Sequence, residues 1–142
     1  LLDACCGVGT IMLQACYSGY KIEGSDINWK ICQDARENLA HFKYTAPVYH
    51  SDVSDLTNRY AAAIIDLPYN LLSHASDEDV LHIIGAVGKL TGRLVIVSIA
   101  DIEPLIQQIG FSVLDQCSVG KRGKTNFARR VWVCEKQLAN VD

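Results

Sequence analysis

The sequence predicts an α/β fold: a mostly parallel sheet with an antiparallel last strand and helices on both faces. Three observations carry that prediction. Apolar runs of strand length alternate with segments of helical period along most of the chain. The first run turns through Gly7-Val8-Gly9-Thr10 straight into a helix, as first strands of open parallel sheets do. The last two runs, residues 111–119 and 127–135, follow one another with no helix between them and read as a hairpin.

At 142 residues the chain is expected to be one domain, 1–142, and 49% hydrophobic content gives it enough apolar surface for a full core. The pattern starts on Leu inside a strand, so a piece of a longer protein is expected. No apolar run reaches the ~20 residues of a bilayer span, which leads to the expectation of a soluble, cytoplasmic protein with no membrane contact. Cys5, Cys6, Cys16, Cys32, Cys117 and Cys134 form no Cys-x-x-Cys pair and are expected to be buried free thiols. His41, His50, His74 and His82 show no ligand spacing with them, so no metal is expected. A net charge of -3 does not suit a free-standing nucleic-acid binder; such affinity would need a local patch or another domain.

The elements follow in order. Leu1, Leu2, Ala4 and Cys5 form a buried first strand, and a helix opens at Ile11, with Ile11, Leu13, Ala15 and Cys16 apolar, ending near Gly19. Residues 20–25 form a second strand closing on Asp26. Asp26 or Asn28 starts a helix in which Ile31, Ala35, Leu39 and Phe42 recur at helical spacing while Lys30, Asp34, Arg36 and Glu37 face water. Residues 46–50 are a third strand, followed by Ser51-Asp52, and residues 61–65 a central strand ending in Asp66-Leu67-Pro68-Tyr69-Asn70. Ser76 and Asp79 form a capping box for a helix running to about Leu90. Residues 93–99 read as a strand buried on both faces, and Asp101 caps a helix with Pro104 in its first turn and Gly110 at its end.

The segment Asp3-Ala4-Cys5-Cys6-Gly7-Val8-Gly9-Thr10 resembles the first motif of the S-adenosylmethionine-dependent amino-methyltransferases. The resemblance continues through Gly24-Ser25-Asp26, Ser51-Asp52 and Asp66-Leu67-Pro68-Tyr69, and it is greatest to the catalytic domain of THUMP-associated tRNA guanosine-N2 methyltransferases. It implies the Rossmann-like class I methyltransferase sheet and S-adenosylmethionine as cofactor. Cofactor-binding residues would be Asp3, Cys5, Gly7, Gly9, Thr10, Asp26, Ile27, Asp52 and Val53. Asp3 would orient the loop or meet the methionine ammonium through water. The glycine turn would take the methionine and ribose, and Asp26 and Asp52 would fix ribose and adenine. The plain alternatives are that Asp26 caps the next helix and that Asp52 makes an Asx turn or cap.

The catalytic expectation rests on Asp66, Leu67, Pro68 and Tyr69. An exocyclic amine on a base is a poor nucleophile because its lone pair is delocalised into the ring. A carboxylate accepting one of its hydrogens, with a backbone carbonyl assisting, turns that pair outward. Pro68 stiffens the turn and Tyr69 offers a face for an extruded base. The family usually has a second proline where this chain has Leu67, a place that contributes mainly its carbonyl. The bland alternative is an ordinary strand-ending turn.

The partner implied is RNA, with tRNA foremost and an RNA-binding module upstream. Lys121, Arg122 and Lys124, with Arg129 and Arg130, read equally as a phosphate-contacting lip or a solvated hairpin, and His74 as a substrate contact or a solvated side chain. DNA adenine or cytosine, and a non-catalytic nucleotide-binding scaffold, remain alternatives. A nicotinamide oxidoreductase is disfavoured because Met12 stands where a dinucleotide fingerprint has its third glycine.

Overall fold

The computed structural model describes residues 1–68, 76–120 and 128–139. Among them, strands β1 (Leu2–Asp3), β2 (Glu23–Asp26), β3 (Val48–His50), β4 (Ala63–Asp66), β5 (Arg93–Ser98), β6 (Phe111–Gly120) and β7 (Ala128–Lys136) form one sheet in the order β3-β2-β1-β4-β5-β7-β6. The first five strands run parallel, and β7 lies antiparallel between β5 and β6. Strand order reverses between β1 and β4, and that switch point lies over the carboxyl ends where ligands of such sheets bind.

Helices α1 (Thr10–Tyr17) and α2 (Trp29–His41) cover one face, where Met12, Ala15, Cys32, Ala35 and Leu39 meet Ile22 and Val48. Helices α3 (Asp77–Val87) and α4 (Glu103–Gln108) cover the other, where Val80, Ile84, Val87 and Ile106 pack on Leu2, Ala63, Ile65, Leu94, Ile96 and Trp132. The sheet therefore separates two apolar clusters, as its period-two alternation requires.

The ends of the helices follow their sequence signals. Ser76 and Asp79 complete the expected capping box on α3, Gly19 and Gly110 take left-handed conformations just after α1 and α4, and the Asp101 carboxylate accepts the Glu103 N–H.

Several expectations are corrected. In α1 Met12, which the apolar pattern left out, is fully buried beside Ala15, and Leu13 and Cys16 pack part-buried against the same cluster. In α2 Cys32 is buried and Phe42 is exposed, because the helix ends at His41 and the inward stripe runs 32, 35, 39. Arg36 lies against the sheet edge rather than in water, donating to the Val48 carbonyl at 2.6 Å. Strand β5 is fully buried only at Leu94, Ile96 and Ser98; Val95 and Val97, on the face shared with α1, stay half-buried. Cys117 is exposed on β6 and Cys5 and Cys16 are half-buried, leaving Cys6, Cys32 and Cys134 as the buried thiols.

Met12 has a partner in β2. A Cβ on Gly24 would lie 2.2 Å from the Met12 sulfur and 3.1 Å from the Cys6 Cβ, so the thioether occupies the space a side chain at 24 would need. Met12 is fully buried and cannot swing out to solvent. Gly24→Ala is expected to destabilise the domain by about 1–3 kcal/mol through overpacking. In urea titration this would appear as a lower midpoint at unchanged slope.

Candidate active site

β1, β2 and β4 each end on a carboxylate, Asp3, Asp26 and Asp66, and Asp52 follows β3 by two residues. Parallel register brings these ends together: Asp3 is level with Gly24 and Ile64. Between β1 and α1 the turn passes through Gly7 (φ 54°) and Gly9 (φ 90°), a left-handed geometry that side chains resist. Gly9 sits directly before α1 with the Ala35 Cβ 3.5 Å from where its own Cβ would be. No side chain caps α1, so its first N–H groups, from Thr10 onward, remain available to a ligand.

Asp26 holds this turn in place. Its Oδ2 accepts the Gly7 N–H at 3.1 Å and its Oδ1 accepts the Asn28 N–H at 2.9 Å, while Asn28 itself caps α2 through the Ile31 N–H. Ribose ligand and helix-entry group were alternatives in the sequence; the carboxylate does fix the entry to α2, and each oxygen retains accepting capacity for a further donor.

A cavity of about 280 Å³ opens beside it, bordered by Asp26, Ile27, Asp52, Val53, Pro68 and His82. That volume suits a ring system rather than a complete drug-sized ligand, for which ~300–1,000 Å³ is usual. Ile27 is 70% exposed at its lip and Val53 is buried at its wall. Asp52 does act as a local cap: its Oδ1 accepts the Ser54 N–H and the Ser54 hydroxyl, both at 2.8 Å. The same oxygen lies 3.0 Å from His82 Nε2, and these donors, Ser54 foremost, hold its carboxyl below the usual range. A larger cavity of about 700 Å³ lies at the amino ends of the strands, between Tyr20, Glu23, Tyr44 and Tyr60. It is far from the switch point and from every carboxylate that ends a strand, so the smaller cavity is the better site.

Asp66 ends β4 with its Oδ2 3.6 Å from Arg129 Nη1 of β7. The Leu67 side chain is buried in the core, its N–H donates to the Val97 carbonyl at 3.1 Å, and Pro68 is exposed at the cavity. Tyr69, His74, Lys121, Arg122 and Lys124 lie outside the described residues.

Asp3 is fully buried at the end of β1, and the Cys5 N–H beside it is the backbone donor that favours its charged form. Burial first, and then the charges of Asp66 and Asp26, push its carboxyl up to about 7. The same burial and the neighbouring aspartates push the Cys5 and Cys6 thiols up to about 12, so neither is a thiolate nucleophile at neutral pH. Among the described residues, no three His, Cys, Asp or Glu side chains are grouped to hold a metal ion, and no helix is long and apolar enough to cross a membrane.

Neither His82 nor the Arg129 contact with Asp66 had a separate signal in the sequence. Both arise from pairing across long stretches of chain. The one local hint was that Asp79 and His82, three apart on α3, share a helix face.

The structure of magnesium protoporphyrin IX methyltransferase from Synechocystis, crystallised with S-adenosylmethionine bound, superposes with a TM-score of 0.78 over 95% of this chain and 69% of that one, at 21% identity. A proposed RNA methyltransferase of Pyrococcus horikoshii gives 0.78 over 96% of this chain and 74% of that one, at 18% identity. The chain has the class I methyltransferase fold. By sequence, a tRNA (guanine(10)-N2)-dimethyltransferase of Methanothermobacter thermautotrophicus is 35% identical over 81 residues, which are 55% of this chain and 24% of that protein. The match thus spans about a quarter of that relative's length. No family model matches the chain. The fold hosts substrates as different as a porphyrin and RNA, so the site must carry any argument about substrate.

Within this methyltransferase fold, Asp3 makes stability depend on pH. The folded chain keeps the Asp3 proton up to about pH 7, whereas an unfolded carboxyl gives it up near its ordinary value of 3.8. Between those limits the native state binds more protons, so stability falls as pH rises, by on the order of 4 kcal/mol in total, and is level above. Asp3→Asn removes this dependence. The expected result is a stability difference between variant and wild type that is constant below pH 4 and shifts in the variant's favour up to pH 7, read from denaturant midpoints.

Proposed function

We propose that the chain is an S-adenosylmethionine-dependent methyltransferase that methylates an exocyclic amino group of a nucleobase, with guanine in tRNA or another structured RNA as substrate. The observation that carries the reading is that Asp66 closes β4 two residues before the exposed Pro68, which lines the cavity bordered by Asp26, Ile27, Asp52 and Val53. A carboxylate meant to accept a hydrogen from an amine and a pocket of purine size therefore share one crevice. The partial likeness to a tRNA guanine-N2 dimethyltransferase supports the choice of base.

The residues present fit the cofactor. The crevice gathers Asp26, Asp52 and Asp66, a negative field suited to a ligand carrying an ammonium and a sulfonium. The buried Asp3 stands at the end of β1 before the turn, where Gly7 and Gly9 let backbone approach a ligand closely. When bound, the cofactor supplies an electrophilic methyl group. Asp26 and the glycine turn would hold the ribose and methionine portions, and Asp52, Ile27 and Val53 the adenine. Asp66 and the Leu67 carbonyl would accept hydrogens from the target amine, aiming its lone pair along the line of transfer. Arg129, 3.6 Å from Asp66, offsets part of the surrounding negative charge. With Cys5 and Cys6 held as thiols, the chemistry runs through the amine itself rather than through a covalent adduct to cysteine. The basic residues Lys121, Arg122 and Lys124 are proposed to meet RNA phosphates.

The test is calorimetric titration with S-adenosylhomocysteine, with NADH as a control, followed by methyl transfer to tRNA and to duplex DNA. The expected outcome is saturable binding of the former only, weakened at least about tenfold in Asp26→Ala. Asp66→Ala should keep the cofactor affinity and lose about 10²–10⁴-fold in transfer. Cofactor binding with no transfer to any nucleic acid, and none changed by Asp66→Ala, would instead make the chain a binding scaffold.

A further inference from the structure

His82 occupies a place that stability does not explain. It lies on α3 and lines the cavity, and its side chain is 52% exposed while that of Asp52 is 31% exposed. An ion pair so open to water contributes little to folding. Its effect is directional. The Asp52 carboxylate is held by three donors, the Ser54 N–H, the Ser54 hydroxyl and His82 Nε2, all on Oδ1. Three donors on one oxygen fix the rotation of the carboxylate and leave Oδ2 as the oxygen with accepting capacity. Asp79, the other polar α3 residue at the cavity, is engaged with Ser76 in the capping box, so His82 is the α3 side chain that reaches Asp52.

We infer that His82 is a positioning residue that makes the cavity selective for a 6-amino purine: it locks Asp52 so that one carboxylate oxygen is presented to an exocyclic amine and refuses a carbonyl at the same place. The inference rests on the cofactor reading above and adds a residue and a selectivity to it. Both tautomeric and charged forms that carry hydrogen on Nε2 can make the bond. Without that bond, the Ser54 contacts alone allow the carboxylate to turn about its bond to Cβ, and a 6-oxo ring can then be accommodated. When a ring fills the cavity it excludes water from this bond and strengthens it, so the lock tightens with occupancy.

The experiment compares the affinities of S-adenosylhomocysteine and S-inosylhomocysteine, which differ in the 6-amino or 6-oxo group and in the adjacent N1, an acceptor in the first and an N–H donor in the second, for wild type, His82→Gln and His82→Phe. Glutamine places an amide N–H about as far out as Nε2, whereas phenylalanine keeps the ring and removes the donor. Thermal unfolding of all three is run alongside, and their exposure at this position predicts closely similar midpoints. The expected result is a preference of at least about tenfold for the adenosyl compound in wild type, kept in His82→Gln and reduced below about threefold in His82→Phe. A preference unchanged in His82→Phe, or absent from the wild type although both compounds bind, overturns the role of His82 while the cofactor reading stands. Failure of the wild type to bind either compound overturns both.

Discussion

The Asp26 carboxylate is the clasp on which the crevice depends. One oxygen takes the Gly7 N–H and the other the Asn28 N–H, so a single side chain at the end of β2 sets both the glycine turn after β1 and the entry into α2. The geometry is possible because β1 and β2 are parallel neighbours in register, and because Gly7 and Gly9 tolerate left-handed backbone. Every other site residue is positioned relative to that clasp: Ile27 follows it, Asp52 lies two residues past the next strand over, and Asp66 ends the strand beyond β1.

Below the clasp the sheet is supported unequally. Between β1, β2 and the paired helices α1 and α2, small side chains and the Gly24–Met12 contact allow close approach. On the opposite face a larger apolar cluster anchors β4 and β5, and a buried hydrogen bond from the Trp132 indole to the Ser98 hydroxyl, 2.8 Å long, ties β7 to the end of β5. The catalytic candidate thus stands on the better-packed half, and the cofactor candidate on the half governed by glycine geometry. A rigid mount for Asp66 and a permissive turn for a ligand are different requirements, and the two halves meet them separately.

What was legible in the sequence was what local chemistry encodes. Alternating periodicity gave the strands and helices, Ser76 and Asp79 gave a helix start, and a carboxylate closing each apolar run gave the crevice, because parallel strands bring their carboxyl ends together whatever lies between them. The errors share a cause: they depend on which residues meet across the fold. Met12 read only as a missing glycine until the absent side chain at Gly24 accounted for it. Cys32 took the place assigned to Phe42 because the helix phase is set by what it rests on. Asp3 read as a residue of the crevice, and nothing local foretold that burial would hold its proton up to about pH 7. His82 lies 30 residues from Asp52, beyond the reach of any periodicity argument.

The ring of strand-ending carboxylates also acts as an electrostatic sieve. Asp26 and Asp52 line one opening, Asp66 closes β4 two residues before Pro68 at the same opening, and the Arg129 guanidinium lies within 4 Å of Asp66. Phosphate groups are repelled from such a mouth over roughly a Debye length, whereas cations and uncharged rings are not. A nucleic acid using this crevice, as proposed, would hold its backbone at the rim and send in a lone base, stripped of its stacking partners, and nucleotides already loose in their helix would enter most readily.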